Sequence, residues 1–438
     1  MTSTITAIVR RPFVNVILAA GEIPRVALGV LLLALALSVG RWMTGSLALL
    51  ADEPHHFEQI RLLMRGQWQL VPLLTTIPGY HAIIAVMGYT LGSTDVTILR
   101  ICSFGLSLAA LGTIFALART AGDGRAVERL LQIAFLPILF PLFFLLYTDV
   151  AAVLFLSLAL LLNEKSRHMT AAVAATAALA VRQNYILWFV FAALLLAVEL
   201  TRARAIVDGG SAPTGRAARG IFARATHWAL IRKELGYGIG LVVFAAFVLW
   251  NGGVAVGDRT MHPFPSLHLG NVYFALFLSF FLLLPLHVVN AQRLAALASR
   301  PLTLGALAAI LVLFLLTFAP DHPYNQPALN WWLHNRLLTW LSSSFWTKLA
   351  MFVAMAIALL SFAVTALRDR SHYLVYPFAV LSLLPAWQIE QRYYLMPLIL
   401  FLLYRRQRSL AFEWSLIAYL AVFTAVLLLG IASRAYFL

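Results

Sequence analysis

Apolar residues run in long blocks along this chain, separated by short knots of polar ones. A helix that crosses a bilayer needs roughly 20 mostly apolar residues, because the hydrocarbon core is about 30 Å thick and each residue rises about 1.5 Å. Thirteen blocks are candidate spans: 24–41, 97–117, 130–147, 149–163, 169–182, 184–200, 235–251, 269–289, 301–319, 347–367, 373–387, 393–404 and 411–433. The block 77–93 is ambiguous. Reading it as a helix lying at the surface keeps Arg119, Arg125 and Arg129 on the same side as the other cations.

Composition supports the same picture. Of the 438 residues, 62% are hydrophobic and 11% charged, with a mean hydropathy of +0.87. A soluble domain carries about a quarter charged residues, so the chain is expected to be an all-α polytopic membrane protein. Cys102 is the only cysteine, which excludes a disulfide framework and cysteine-based metal sites.

A net charge of +15 would suggest nucleic acid in a soluble chain. In a membrane protein it marks cytoplasmic loops, which are enriched in Lys and Arg. With an inner N-terminus, 22 of the 32 cationic residues fall inside and 10 outside. No nucleic-acid partner is expected. The first span has no small-residue cleavage site behind it and reads as an uncleaved anchor. Residues 201–234, with Gly209, Gly210, Pro213 and Gly215, read as a flexible basic cytoplasmic connector within a single domain, 1–438.

Chemistry gathers on the outer side. The longest outer loops, 42–96 and 320–346, and the outer helix ends hold seven of the eleven histidines: His55, His56, His81, His262, His268, His322 and His334. Polar groups near a bilayer are costly unless paired or facing a wet cavity, so such a gathering is a functional-site hypothesis. Asp52-Glu53-Pro54-His55-His56 follows the first span and leads into 60–65, which has the pattern of an interfacial helix. The two carboxylates serve either as a helix cap or, beside the histidines, as a base with a tuning partner. No metal-ligand spacing is present, and no cofactor is implied.

Further along lie Tyr147-Thr148-Asp149, Arg182-Gln183-Asn184, Gly257-Asp258-Arg259 with His262 and His268, Asp321-His322-Pro323-Tyr324, and Glu390-Gln391-Arg392-Tyr393. Asp149 reads as a helix cap or a binding group, and Asp258–Arg259 and Glu390–Arg392 as structural ion pairs or site residues. Arginine's planar fork suits phosphate, and Gln and Asn suit hydroxyl recognition.

In order along most of the chain, these residues resemble the dolichyl-phosphate-glucose α-1,2-glucosyltransferases, a family of the GT-C class. Asp52-Glu53 with His56 and Gln59 resembles the family's Asp-Glu-x-x-His-x-x-Gln segment, and Trp68 with Thr75-Thr76-Ile77-Pro78-Gly79 its Trp…Thr-Thr-x-Pro-Gly. The clusters at 147–149, 182–184, 257–268, 322–324 and 390–397 find counterparts, whereas after Tyr324 only Asn335-Arg336 loosely matches the family's Asp-Asn-Arg-His run.

The resemblance implies a GT-C-like fold with interfacial helices in the first outer loop. It also implies a polyprenyl-phosphate sugar donor, a glycan or lipid-linked glycan acceptor, and inversion at the anomeric carbon, with membrane lipid around the site. An acidic residue of the first outer loop is then the base: Asp52 first, Glu53 second. Arg182, Arg259, Arg392 and His322 are the candidates to meet the departing phosphate. His55, His56, Asp149, Gln183, Asn184, Asp258, His262, His268, Tyr324, Glu390 and Tyr393 are the substrate-binding candidates. A flippase or transporter for a lipid-linked sugar is the alternative. A bacterial inner membrane with a periplasm-facing site is expected, the endoplasmic reticulum with a lumenal site being the second reading.

Overall fold

The computed structural model describes residues 3–208, 216–257, 259–261 and 266–438, with side chains for 24–201, 232–257, 259–261 and 266–438. The described chain forms seventeen α-helices joined by turns and short 3₁₀ segments. The first half contributes α1 (Ser3–Gly45), α2 (Glu53–Met64), α3 (Gly79–Thr90), α4 (Val96–Arg119), α5 (Ala126–Ala134), α6 (Thr148–Glu164), α7 (His168–Val181), α8 (Ile186–Asp208) and α9 (Arg216–Asn251). The second half contributes α10 (Gly270–Leu282), α11 (Leu284–Ala298), α12 (Pro301–Thr317), α13 (Leu333–Ser342), α14 (Phe345–Val364), α15 (Val375–Leu383), α16 (Leu395–Tyr404) and α17 (Leu410–Ala432). Helix α6 packs between α4 and α7, α7 leans on α9, and α14 holds α10 and α11.

Among the described residues, six helices are long and apolar enough to cross a membrane: Pro24–Gly45, Val96–Arg119, Gln183–Thr201, Arg232–Asn251, Phe345–Val364 and Leu410–Ala432. This is an integral membrane protein. The expected thirteen continuous spans are not what the chain builds. Several apolar blocks are shorter helices, including α6, α7, α12, α15 and α16, and two are broken.

The block 130–147 stops being α-helical at Ala134 and continues through a 3₁₀ turn at Phe140–Phe143. Pro137 and Pro141 lack the amide hydrogen a helix requires. Irregular backbone is tolerated at membrane depth only where protein surrounds it, and 130–154 is buried throughout. Side chains satisfy the freed groups: the Ser103, Ser107 and Thr424 hydroxyls donate to the carbonyls of Leu145 (3.0 Å), Phe143 (3.0 Å) and Phe135 (2.7 Å).

The block 269–289 also breaks, with α10 and α11 meeting at 98°. Pro285 excludes a continuous helix, and the Tyr419 hydroxyl donates to the stranded Phe281 carbonyl at 2.5 Å. Of the connector 201–234, residues 201–208 and 216–234 are helical and 209–215 lie outside the described residues. Its arginines and alanines are strong helix formers. Helix α3, at 12 residues, is about 18 Å long and too short to cross.

Charges assigned to the inner side meet one another at one end of the bundle. Arg405 donates to Glu413 Oε1 (3.1 Å) and Gln132 (2.8 Å), and all three side chains are buried. Arg405→Met is expected to cost about 3–5 kcal/mol by stranding the Glu413 charge, read as a lowered detergent melting temperature. Unchanged melting would show that the network contributes nothing.

Candidate active site

At the opposite end, segments from six parts of the sequence (52–76, 148, 182, 261, 324–334 and 388–393) enclose a polar cavity of about 330 Å³, within the range of small-molecule sites. Just before its first lining residue, Asp52, stands Ala51, whose left-handed backbone (φ 54°) is unusual for a residue with a Cβ. The next two carboxylates have different fates. Glu53 is fully buried and grips Arg100, with Arg100 Nε at 3.0 Å from Oε1 and Nη2 at 2.5 Å from Oε2. It also accepts the amides of Leu50 (2.8 Å) and Leu146 (2.9 Å). Glu53 thus joins α2, α4 and the 145–147 turn, with both carboxylate oxygens engaged.

Asp52 makes no side-chain cap bond. Its carboxylate is 38% exposed, lines the cavity, and accepts from Arg392 Nη2 at 2.9 Å. Arg392 also contacts Glu390 (Nε to Oε1, 3.2 Å) and approaches Asp149 Oδ2 at 4.0 Å. Its guanidinium lies 5.1 Å over the Tyr147 ring. Asp149 pairs through Oδ1 with Arg182, which also reaches Thr148 at 3.3 Å. Three carboxylates and two guanidinium groups thus form one chain of contacts along the cavity wall. Among the described residues, no group of three or more His, Cys, Asp or Glu side chains is placed to hold a metal ion.

Two loops complete the walls. The Gln183 amide donates to the Thr75 carbonyl (2.6 Å) and accepts from the Ile77 amide (3.1 Å), fixing the Thr75-Thr76 stretch at the cavity rim. Gly79 is required because a Cβ there would sit 2.3 Å from the Ala180 carbonyl oxygen. At Gly257, with φ +60°, a Cβ would meet that of Leu74 at 2.2 Å. On the other side, His322 uses both ring nitrogens on backbone: Nε2 donates to Met261 (3.0 Å) and Nδ1 accepts from Tyr324 (3.0 Å). That arrangement requires a neutral imidazole, and burial keeps its pKa low. Asn325 and Asn335 pin this loop to Ile389 and Tyr324.

The structure therefore brings Asp52, His55, His56, Arg182, Tyr324, Glu390, Arg392 and Tyr393 to one cavity, with Asp149 directly behind. It separates others. His322 has both ring nitrogens on backbone groups of the loop and does not line the cavity. Arg259 is exposed, bonds Asn251 at 2.9 Å and does not line the cavity. His268 stacks on Trp387 at 5.9 Å, outside the cavity. Gln183 and Asn184 line a neighbouring hollow that shares Thr75, Thr76, Arg182 and Tyr393 with the cavity. Asp258 and His262 lie outside the described residues.

Among the lining residues, Gln388 has no role in the sequence reading, and His334 figures there only as one of the outer histidines. His334 stands between the polar cavity and an apolar chamber of about 290 Å³ lined by Phe274, Phe277, Leu337, Trp340 and Phe423 among others. Arg100, an ionisable residue in the first turn of an apolar helix, carried a legible signal. Its partner, 47 residues away, did not.

Behind Tyr147 stands Phe437, buried and stacked at 6.0 Å on that ring and at 5.7 Å on Trp331. Phe437→Ala is expected to cost about 3–5 kcal/mol and to loosen Tyr147 and, through it, Arg392. Phe437→Leu should recover most of that loss in a thermal melt. Equal melting of the alanine variant and the parent would refute this support.

A sequence model described as the DIE2/ALG10 family matches residues 48–403. Three curated relatives share the name Dol-P-Glc:Glc(2)Man(9)GlcNAc(2)-PP-Dol alpha-1,2-glucosyltransferase. The Candida albicans protein is 27% identical over 61% of this chain and 60% of its own length. The Drosophila melanogaster protein is 26% identical over 83% and 85%, and the Mus musculus protein 27% over 52% and 56%. The chain thus spans less than two thirds of the first and third of these relatives. No solved structure matches.

Proposed function

The chain belongs to the DIE2/ALG10 family, and from that premise we propose that it is an inverting glycosyltransferase of GT-C-like fold. It moves a hexose, glucose by likeness to its relatives, from a polyprenyl-phosphate donor to a hydroxyl of an outward-facing, lipid-linked glycan. The observation that carries this reading is the Asp52 carboxylate open to the cavity and held 2.9 Å from Arg392.

In the proposed step Asp52 takes the proton of the acceptor hydroxyl as that oxygen bonds to the anomeric carbon from the face opposite the phosphate. The bond from the anomeric carbon to the phosphate oxygen breaks, and its electron pair leaves with the lipid phosphate, which gains one negative charge. No general acid is needed, because cations already present can meet that charge. Arg392 suits this role through its contact with the base: protonation of Asp52 removes one of the carboxylates sharing Arg392, freeing the guanidinium as the leaving group becomes more anionic. Arg182 is the second cation. Glu390, Tyr324 and Tyr393 are positioned to hold sugar hydroxyls. The apolar chamber beyond His334 supports a substrate carrying a lipid chain.

The cation bias toward the other end supports a site on the non-cytosolic side. That is the periplasmic face of a bacterial inner membrane in our sequence reading. The eukaryotic sources of the three relatives favour the endoplasmic reticulum lumen instead, and reporter fusions with fractionation separate the two. Mass spectrometry of lipid-linked glycans with and without the gene tests the activity. One species should lose a single hexose, and an unchanged profile would overturn the proposal.

A further inference from the structure

The transfer step leaves unexplained a pair of histidines beside Asp52. His56, one helical turn beyond it, lines the cavity. Its Nδ1 lies 2.8 Å from Nε2 of His81 on α3, and the rings stack at 5.1 Å. His81 is completely buried, and its Nδ1 has no hydrogen-bond partner. Burial holds both imidazoles neutral, His56 down to about 3 with Arg392 and Arg182 adding to the effect.

Two neutral imidazoles in this contact share one proton between the facing nitrogens, so there are two arrangements. If His56 Nδ1 carries that proton, the His81 hydrogen sits on Nδ1 as a buried N–H with nothing to bond. If His81 Nε2 carries it, the unpartnered His81 Nδ1 is a bare acceptor, and the His56 hydrogen moves to Nε2. Orphaned buried N–H groups are rarer than under-satisfied acceptors, which favours the second arrangement. Because Nδ1 is engaged by His81, Nε2 is the nitrogen left for a ligand.

We infer that His81 is a positioning residue that fixes the tautomer of His56, so that His56 offers a neutral Nε2–H to a non-bridging oxygen of the substrate phosphate beside Arg182 and Arg392. The two arginines already attract the phosphate, and a neutral donor adds direction without a further cation to desolvate. This inference rests on the lipid-phosphate reading of the cavity.

The test is binding of polyprenyl phosphate, the sugar-free product, to the full chain in nanodiscs. His56→Phe and His81→Phe should each weaken binding by about tenfold to a hundredfold, the range for one hydrogen bond to a charged group. His81→Gln, which can return an N–H near the lost Nε2, should recover at least tenfold. In the His56→Phe background, His81→Phe should cost nothing further, because its effect passes through His56. Nitrogen-15 spectra of histidine-labelled protein, with His56 assigned by its loss in His56→Phe, should show a protonated Nε2 and a bare Nδ1.

A protonated His56 Nδ1 would overturn the inference, as would equal His81→Phe costs in both backgrounds or unweakened binding in either single variant. A chain that binds polyprenyl phosphate yet transfers no sugar would instead sink the transferase reading and leave this one standing.

Discussion

Asp52→Asn is expected to lower sugar transfer by about 10²–10⁴-fold, the usual contribution of a positioned general base, while the protein stays folded. Asparagine keeps the size of the side chain and can still accept from Arg392, but it cannot take a proton at the moment of attack. Arg392 keeps Glu390 at 3.2 Å and Asp149 at 4.0 Å, so the variant does not strand the guanidinium. The loss should therefore fall on the rate of the chemical step, with donor affinity changing little. Initial rates with a polyprenyl-phosphate sugar, measured beside donor binding, read the two apart. Transfer at the parent rate in Asp52→Asn would eliminate Asp52 as the base.

Glu53→Gln should fail differently. Arg100 is 1% exposed and has the Glu53 carboxylate as its charged partner. Removing one member of a buried pair costs about 3–5 kcal/mol, because the other charge is left uncompensated, and a protein's whole margin is only about 5–15 kcal/mol. The variant is expected to melt far lower in detergent or to fail to accumulate. Arg100→Met should behave alike. Combining Glu53→Leu with Arg100→Met should recover part of the loss but not all, since the Leu50 and Leu146 amides then lose their acceptor. Parent-like melting of Glu53→Gln, together with a large rate loss, would return Glu53 to the list of bases. Adjacent residues of the same chemistry thus give separable signatures, one in rate and one in stability.

The separation of Asp52 from Glu53 also marks how far the residues could be read without coordinates. Both are acids in the first outer loop, and nothing local tells them apart. What distinguishes them is Arg100 on one side of the helix start and Arg392, 340 residues away, on the other. Arg259 and His322 show the same limit. Each is a basic residue in a polar outer cluster, but Arg259 is taken by Asn251 and His322 by two backbone groups. His81 and His334 were visible as outer histidines, yet their burial beside the cavity depends on how α3 and α13 pack.

The sequence alone determined that this protein is helical and embedded in a membrane, because apolar length and composition are properties of contiguous residues and the bilayer selects on them directly. It also indicated that polar groups gather at helix ends, since the cost of placing charge in lipid pushes such residues there wherever they occur. Which apolar blocks remain straight, which carboxylate is clamped and which is free, and which imidazole nitrogen meets the cavity were decided only by tertiary structure. Those outcomes depend on partners tens to hundreds of residues apart, and hydrogen-bond geometry between them has no trace in local spacing.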